Sequence, residues 1–201
     1  MKKPLLETMT AVALAVLALP AWAALQPGAK APDFTATASR AGKDFTFSLK
    51  AALAKGPVVL YFYPSAFTQG CDLEAHTFAV DKAKFDAAGA TIIGVSADSL
   101  QRLNAFSSDP HYCAGKFPVA SDADGRIAAS YDLKLMPGQP GATDVRGQHI
   151  DHGFIPRTTF VIAPDGRIVA TLSSAADHLT PAQHVERSLA IVRRMHAGKS
   201  P

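Results

Sequence analysis

Cysteine is scarce in this chain, which has only Cys71 and Cys113 among its 201 residues. The two are far apart, so the chain has no Cys-x-x-Cys, the spacing that thiol–disulfide exchange enzymes place at a helix N-terminus. This absence argues against that class of enzyme. Two cysteines still permit one disulfide bond, provided that the protein works in an oxidising compartment.

An excess of charge of one sign is also missing. The chain has 20 basic and 17 acidic residues, and 18 and 16 remain once Lys2, Lys3 and Glu7 are set aside. A net charge of +2 is too small to indicate binding to nucleic acid or to an acidic membrane surface. The sequence also has no internal repeat and no low-complexity tract, so we expect one domain that buries its own core.

A long apolar segment occurs only near the N-terminus. Lys2 and Lys3 precede the apolar residues 10–19, and Ala21-Trp22-Ala23 then matches the A-x-A cleavage pattern. Residues 11–19 are too few for a membrane-spanning helix, which needs about 20 apolar residues. We therefore expect residues 1–23 to be a secretory signal peptide. Residues 24–201 would be a single domain, periplasmic or otherwise exported, with an uncleaved anchor as the alternative.

Strands and helices alternate along the rest of the chain. Apolar patterns predict a hairpin near the N-terminus, three core strands and a second hairpin around Pro164-Asp165-Gly166. The predicted strands are 31–37, 44–49, 58–63, 91–96, 117–120, 158–163 and 167–172. The predicted helices are 48–54, 69–88, 98–107, 125–131 and 181–195.

This order predicts an α/β fold with a central mixed β-sheet flanked by helices on both faces and an N-terminal β-hairpin extension. Asp98 is predicted to be the N-cap of the third helix, with Gln101 at the capping-box position. The segment 135–154 is rich in Gly, Pro, His and Asp. A loop of that length is functional or disordered, and the sequence does not decide between the two.

Cys71 occupies the most informative position in the sequence. It follows the apolar run 58–63 and lies where the second predicted helix begins. Unpaired N–H groups give a helix N-terminus a positive partial charge, so we expect the pKa of Cys71 to be lowered. A lowered pKa favours the thiolate, which is the reactive form of cysteine.

The residues around Cys71 resemble the active site of the peroxiredoxins, the AhpC/TSA superfamily. The family pattern is proline, three residues, threonine, two residues and cysteine, which Pro64, Thr68 and Cys71 match in full. The family also has an arginine, distant in sequence, that begins a Ser/Thr-rich apolar strand, and Arg157 matches it. An acidic residue three positions after the cysteine is also common in the family, and Glu74 occupies that position. The chain is most similar to the peroxiredoxin Q, or bacterioferritin-comigratory, branch.

The resemblance implies a thioredoxin-like fold and a thiol-dependent peroxidase that reduces hydrogen peroxide or organic hydroperoxides. Cys71 would be the nucleophile, Thr68 and Arg157 would bind and polarise the peroxide, Pro64 would shield the pocket, and Glu74 would orient Arg157. No cofactor or metal is expected. An exported thioredoxin-like protein or a small thiol would be the reductant, and the protein would be a monomer or homodimer without a membrane span after cleavage.

Cys113 departs from the common arrangement of this branch, in which a resolving cysteine lies five residues after the reactive one. His76 occupies that position here, whereas Cys113 follows the third predicted helix. Some peroxiredoxins have a resolving cysteine near that place. Cys113 is therefore a candidate to attack the oxidised Cys71, and the alternative is a spectator thiol with turnover by an external thiol. A disulfide needs Cα atoms within about 7 Å, so both segments would have to rearrange.

Other functions remain open at this point. They are a thiol–disulfide oxidoreductase of the thioredoxin fold, a copper-handling protein of the same fold, and a non-enzymatic module with a structural Cys71–Cys113 disulfide. Copper would require two nearby cysteines and a histidine, and only one cysteine is in the right loop. His149 and His152 lie near Asp144 and Asp151, but their spacing matches no strong zinc motif, which favours a solvated polar loop.

The signal peptide gives the first testable prediction. When the full chain is expressed in a bacterium with a secretion pathway, we expect a mature protein that begins at Ala24 and is found outside the cytoplasm. N-terminal sequencing and intact mass of the fractionated protein measure this. Full-length protein that remains in the cytoplasmic fraction would contradict it.

Overall fold

The structure, a computed structural model, describes residues 24–199. The predicted signal peptide, residues 1–23, lies outside the described residues. The described strands are β1 (Thr35–Arg40), β2 (Lys43–Ser48), β3 (Val58–Phe62), β4 (Thr91–Ser96), β5 (Val119–Ser121), β6 (Thr158–Ile162) and β7 (Ile168–Ser173). The described helices are α1 (Leu49–Leu53), α2 (Gln69–Ala87), α3 (Leu100–Ser108), α4 (Arg126–Ser130), α5 (Ser174–Asp177) and α6 (Pro181–His196).

All seven strands form one mixed sheet in the order β2-β1-β5-β4-β3-β6-β7. The central strands β3, β4 and β5 are parallel, and the two hairpins β1–β2 and β6–β7 add antiparallel strands on either side. β3 also pairs antiparallel with β6, so that Phe62 at the end of β3 lies opposite Thr158 at the start of β6. This pairing brings the residue before β6 beside the loop that leaves β3.

The sheet has an apolar core on each face. Every residue of β3 is buried, as expected for a strand that is covered on both sides. Val59 and Tyr61 belong to one core cluster, which also includes buried side chains of α2, α3 and α6. Val58 and Leu60 belong to the other, with side chains of α1 and α4. The predicted α/β class, with a central mixed sheet flanked by helices and an N-terminal hairpin, is confirmed.

Helix caps explain most of the helix boundaries, and one predicted cap is wrong. Ser48 caps α1 by accepting from the Ala51 N–H. Thr180 caps α6 in a capping box with Gln183. The N-cap of α3 is Ser99 and not Asp98, because the Ser99 hydroxyl accepts from the Arg102 N–H at 3.3 Å. The one-turn helix α5 was not predicted, since four residues are too few to show a periodic pattern.

The side chain of Asp98 is turned into the protein and not towards the start of α3. It is fully buried and accepts hydrogen bonds from Ser96 and from the loop that follows β3. A buried carboxylate needs such partners to offset the loss of its hydration. Sequence spacing cannot distinguish this use of an aspartate from a cap.

The segment 135–154 is ordered and folds back on itself. Met136 and Phe154 exchange two backbone hydrogen bonds of 2.9 Å, and a second bridge joins Thr143 and His149. The tip of the segment contacts the loop after β3, where the Val145 N–H donates to the Phe67 carbonyl at 2.9 Å. None of the helices within residues 24–199 is both long and apolar enough to cross a membrane.

The close packing of Tyr61 over β4 gives a stability prediction. A Cβ atom on Gly94 would lie 2.6 Å from the Tyr61 Cζ and hydroxyl oxygen. We expect Gly94→Ala to lower the free energy of unfolding by about 1–3 kcal/mol, because the ring must shift within a packed core. Urea denaturation measures this. The same substitution in a Tyr61→Leu background should cost less, and an equal cost in both backgrounds would contradict the explanation.

Candidate active site

The loop after β3 and the first turn of α2 place Cys71. The first hydrogen bond of α2 runs from the Asp72 N–H to the Thr68 carbonyl at 2.8 Å, so Thr68 is the N-cap and Cys71 lies in the first turn. The N–H groups of this turn point towards the start of the helix and give it a positive partial charge. The Cys71 side chain is 1% exposed.

Arg157 connects the thiol to a buried carboxylate. It directly precedes β6, and the β3–β6 pairing brings it to the end of β3 from which the Cys71 loop departs. Its Nη2 donates to the Cys71 Sγ at 3.1 Å, and its Nη1 pairs with Oε2 of Glu74. Glu74, one turn after Cys71 on α2, is fully buried. The structure thus brings Cys71, Glu74 and Arg157 into one contact group.

Gly70 makes room for this contact. A Cβ atom on Gly70 would lie 3.2 Å from Nη2 of Arg157, the same nitrogen that donates to Cys71. A larger side chain would therefore push against the guanidinium. Gly70 was not among the site residues predicted from the sequence. Its position directly before the reactive cysteine, inside a helix where glycine is unfavourable, is the signal that could have identified it.

The pKa of Cys71 differs from the prediction. Burial raises the pKa of the thiol above its ordinary value, while the Arg157 charge acts in the opposite direction. The prediction of a lowered pKa is wrong for this closed arrangement, because it considered the helix end and not the loss of water around the sulfur. Burial also raises the pKa of Glu74 to about 7, despite the opposing charge of Arg157.

Thr68 and Pro64 complete the loop. The Thr68 hydroxyl donates to the Ser65 carbonyl at 2.7 Å, which leaves its lone pairs for another donor. Pro64 lies two residues after the end of β3 and is partly exposed. Both residues therefore lie on the short segment between β3 and Cys71.

Cys113 lies on the same face of the sheet as Cys71. Both are free, fully buried thiols in one core cluster. Burial raises the pKa of Cys113 well above its ordinary value, and the charges of Asp109 and Asp72 act in the same direction. Cys113 is therefore a neutral thiol in this arrangement. His76, at the position where a resolving cysteine is common, is exposed and contacts the His111 carbonyl at 3.0 Å.

The histidines considered as metal ligands are used differently. His152 contacts the Asp98 carboxylate at 2.9 Å, while His149 is exposed. Within residues 24–199, no group of three or more His, Cys, Asp or Glu side chains is arranged to hold a metal ion.

The fold and the site together define a class of protein. The sheet has parallel central strands and an antiparallel C-terminal hairpin, and a cysteine lies in the first turn of the helix that follows the first central strand. Together these features define a thioredoxin-like fold with a redox-active thiol. A single cysteine in that turn, contacted by an arginine from the adjacent strand, is suited to nucleophilic attack and not to disulfide exchange within a Cys-x-x-Cys pair.

Comparison with known proteins identifies the family. The model described as the AhpC/TSA family matches residues 27–171. The chain belongs to this family and is a peroxiredoxin, a thiol-dependent peroxidase and thus an oxidoreductase. A putative peroxiredoxin of Mycobacterium tuberculosis is 31% identical over 173 residues, which cover 83% of this chain and 92% of that protein. The peroxiredoxin Bcp of Xanthomonas campestris is 35% identical over 115 residues, covering 56% and 63%.

Solved structures agree with this assignment. The peroxidoxin BcpB of Mycobacterium tuberculosis superimposes with a TM-score of 0.68 at 27% identity and covers 85% of this chain and 98% of its own. The bacterioferritin comigratory protein of Xanthomonas campestris gives 0.61 at 28% identity, with coverage of 80% and 91%. The predicted similarity to the bacterioferritin-comigratory branch is confirmed.

The contact between Arg157 and Cys71 gives a prediction about reactivity. Arg157 lowers the pKa of Cys71, so Arg157→Gln should raise that pKa. It should also reduce kcat/KM for hydroperoxide by about 10²–10³-fold, as loss of a transition-state donor does. Thiolate absorbance against pH, in a Cys113→Ser background, measures the pKa.

Arg126→Gln is the matched control for this experiment. Arg126 is on α4, on the opposite face of the sheet, and its side chain is 86% exposed. Arg126→Gln should leave the pKa of Cys71 and the kcat/KM for hydroperoxide unchanged. A Cys71 pKa that is the same with and without Arg157 would contradict the assigned role.

Proposed function

We propose that the protein reduces hydrogen peroxide and organic hydroperoxides through Cys71, and that Cys113 completes the cycle as an intramolecular disulfide. The observation that carries the proposal is the 3.1 Å contact between Arg157 Nη2 and the sulfur of the buried Cys71. The related bacterioferritin comigratory protein of Xanthomonas campestris has alkyl peroxide reduction activity, which supports including organic hydroperoxides as substrates.

The first step is attack of the Cys71 thiolate on one peroxide oxygen. An S–O bond forms as the O–O bond breaks, the sulfur loses two electrons, and the departing oxygen takes up a proton and leaves as water or an alcohol. The Arg157 guanidinium can donate to the peroxide oxygens while negative charge develops on the leaving oxygen. The Thr68 hydroxyl is positioned beside the same sulfur, and Glu74 holds the guanidinium in orientation.

In the second step Cys113 attacks the sulfur of the Cys71 sulfenic acid. An S–S bond forms and the S–O bond breaks, and the hydroxyl leaves as water with the proton of the Cys113 thiol. Both thiols are buried on one face of the sheet, and burial keeps Cys113 protonated. Residues 109–116 must therefore open before Cys113 can react.

The oxidised protein then requires an external reductant. We propose an exported thioredoxin-like protein or a small thiol, which transfers two electrons to the disulfide and regenerates both thiols. We also propose that residues 24–201 are exported. Exposed thiols are readily oxidised outside the cytoplasm, so a dedicated reductant is needed there.

Serine substitutions of the two cysteines test the proposal. Cys71→Ser should abolish peroxide consumption, by more than about 10³-fold, because the nucleophile is removed. Cys113→Ser should still react with one equivalent of peroxide but accumulate sulfenic acid, or require an external thiol for turnover. Peroxide consumption with a dithiol reductant, and trapping of the sulfenic acid, measure these effects.

The two variants are controls for each other, since each removes one buried sulfur from the same core cluster. Full peroxidase activity in Cys71→Ser would contradict the assigned nucleophile. Turnover at the wild-type rate in Cys113→Ser, with no accumulation of sulfenic acid, would leave the nucleophile in place and remove the resolving role.

A further inference from the structure

The loop between β3 and Cys71 has a strained backbone. Phe67, four residues before Cys71, has a φ of 59°. The left-handed region is unfavourable for a bulky side chain and is adopted only when the surroundings impose it. Something in the structure must therefore hold residues 65–67 in this conformation.

Two side chains of the α3 region supply the direct restraints. The Asp98 carboxylate accepts from the Ala66 N–H at 2.7 Å and from the Ser65 hydroxyl at 3.0 Å. Arg102 donates to the Ala66 carbonyl at 2.8 Å and to Asp98 at 2.8 Å. Both backbone groups of Ala66, the residue before Phe67, are thus bonded to this ion pair.

The segment 135–154 restrains the same loop from the other side. His152 Nε2 contacts Asp98 at 2.9 Å, and Asp144 pairs with Arg102 at 2.8 Å. The Val145 N–H donates to the Phe67 carbonyl, and the Arg146 guanidinium lies 3.2 Å from the centroid of the Phe67 ring. Asp98 and Asp144 are fully buried, so the two ion pairs are shielded from solvent.

We propose that His152 and Asp144 are positioning residues of the peroxidase, which act through Asp98 and Arg102 to hold residues 65–67 in the strained arrangement that presents Cys71 to peroxide. We call these four side chains the clamp. Opening of the clamp releases the strain at Phe67 and frees the loop to move.

His152 makes the strength of the clamp depend on its protonation. Its Nδ1 faces the Gly153 carbonyl at 2.8 Å and its Nε2 faces the Asp98 carboxylate, so only the protonated imidazolium donates to both. Burial acts to lower the pKa of His152, as does the nearby charge of Arg102, but the bonds to Asp98 and Gly153 outweigh them and raise it above 6.5.

The raised pKa of His152 determines how the stability of the clamp changes with pH. A histidine whose pKa is raised in the folded arrangement contributes its full stabilisation below the unfolded value, near pH 6.5, and loses it as the pH rises through the folded value. Asp98 has a lowered pKa and stays ionised throughout this range, as its partners favour the charged form. The Asp144 pKa is also lowered, by Arg146, backbone donors and Arg102. Protonation of His152 therefore carries the pH dependence of the clamp.

The clamp is also connected to the segment that bears Cys113. The Phe67 ring packs edge-on against Tyr112, the neighbour of Cys113, with centroids 5.4 Å apart. Movement of Phe67 therefore removes packing from Tyr112, the residue directly before Cys113. This coupling rests on the proposed resolving role of Cys113, whereas the clamp itself does not.

Hydrogen exchange of the Ala66 amide tests the clamp directly, because that N–H is bonded to Asp98. In the wild type, protection corrected for intrinsic exchange should fall as the pH rises from about 6 to 8.5, across the titration of His152. In His152→Gln, protection at the lower pH should be about tenfold smaller and nearly independent of pH, since a neutral amide makes the weaker bond.

Two further variants separate charge from simple packing. Asp144→Asn should reduce Ala66 protection but keep its pH dependence, because His152 is intact. His149→Gln replaces an exposed histidine of the same segment and should behave as the wild type. Amides of β6 report on global unfolding, so a variant that merely fails to fold is recognised by loss of protection there.

The rate at which the Cys71 sulfenic acid converts to the disulfide, followed after one equivalent of peroxide has been consumed, tests the coupling. It should be about tenfold faster in His152→Gln than in the wild type at the lower pH, matching the lost protection.

Ala66 protection and pH dependence in His152→Gln equal to the wild type would overturn the clamp. Altered protection with an unchanged disulfide rate would overturn the coupling to Cys113. Absence of a disulfide in every protein would instead overturn the resolving role, and the exchange result would still decide on the clamp.

Discussion

The rest of the site depends on one buried guanidinium. Arg157 is shared between the Cys71 sulfur and the Glu74 carboxylate, and all three groups are almost completely removed from water. A cation in such a place requires compensation, which the ionised Glu74 carboxylate supplies and a Cys71 thiolate supplies when it forms. The arrangement therefore favours the reactive form of the thiol locally, while burial disfavours it. In the proposed mechanism, this balance lets Cys71 attack peroxide while the thiol stays protected from solvent.

The sheet topology makes that contact possible. Antiparallel pairing of β6 with β3 brings the residue before β6 to the end of β3, and the short loop from β3 returns Cys71 to the same place. Gly70 then allows the guanidinium to approach the first turn of α2. On the far side of the loop, Asp98 and Arg102 hold the backbone before Phe67. Cys71 is thus located between the Arg157–Glu74 ion pair and the Asp98–Arg102 ion pair.

Much of this was predictable from the sequence, and the exceptions have a physical cause. Strands such as 91–96 and the turn at Pro164-Asp165-Gly166 have local patterns, so their positions agree with the structure. Cys71 and Glu74 were predicted from a family pattern of fixed spacing, and Arg157 from the family's arginine before a distant strand. The raised pKa of Cys71 and the buried role of Asp98 were not predicted, because both result from tertiary burial. The contacts of segment 135–154 were also missed, since polar loop residues carry no periodicity that indicates where they pack.

The most direct test of the proposed chemistry is the intact mass of the reduced mature protein after one equivalent of hydroperoxide, with free thiols alkylated at the end of the reaction. We expect a transient species that has gained one oxygen at Cys71, followed by a product with no alkylated thiol, in which Cys71 and Cys113 are joined. A protein in which both cysteines are still alkylated, with the peroxide unconsumed, would contradict the peroxidase mechanism.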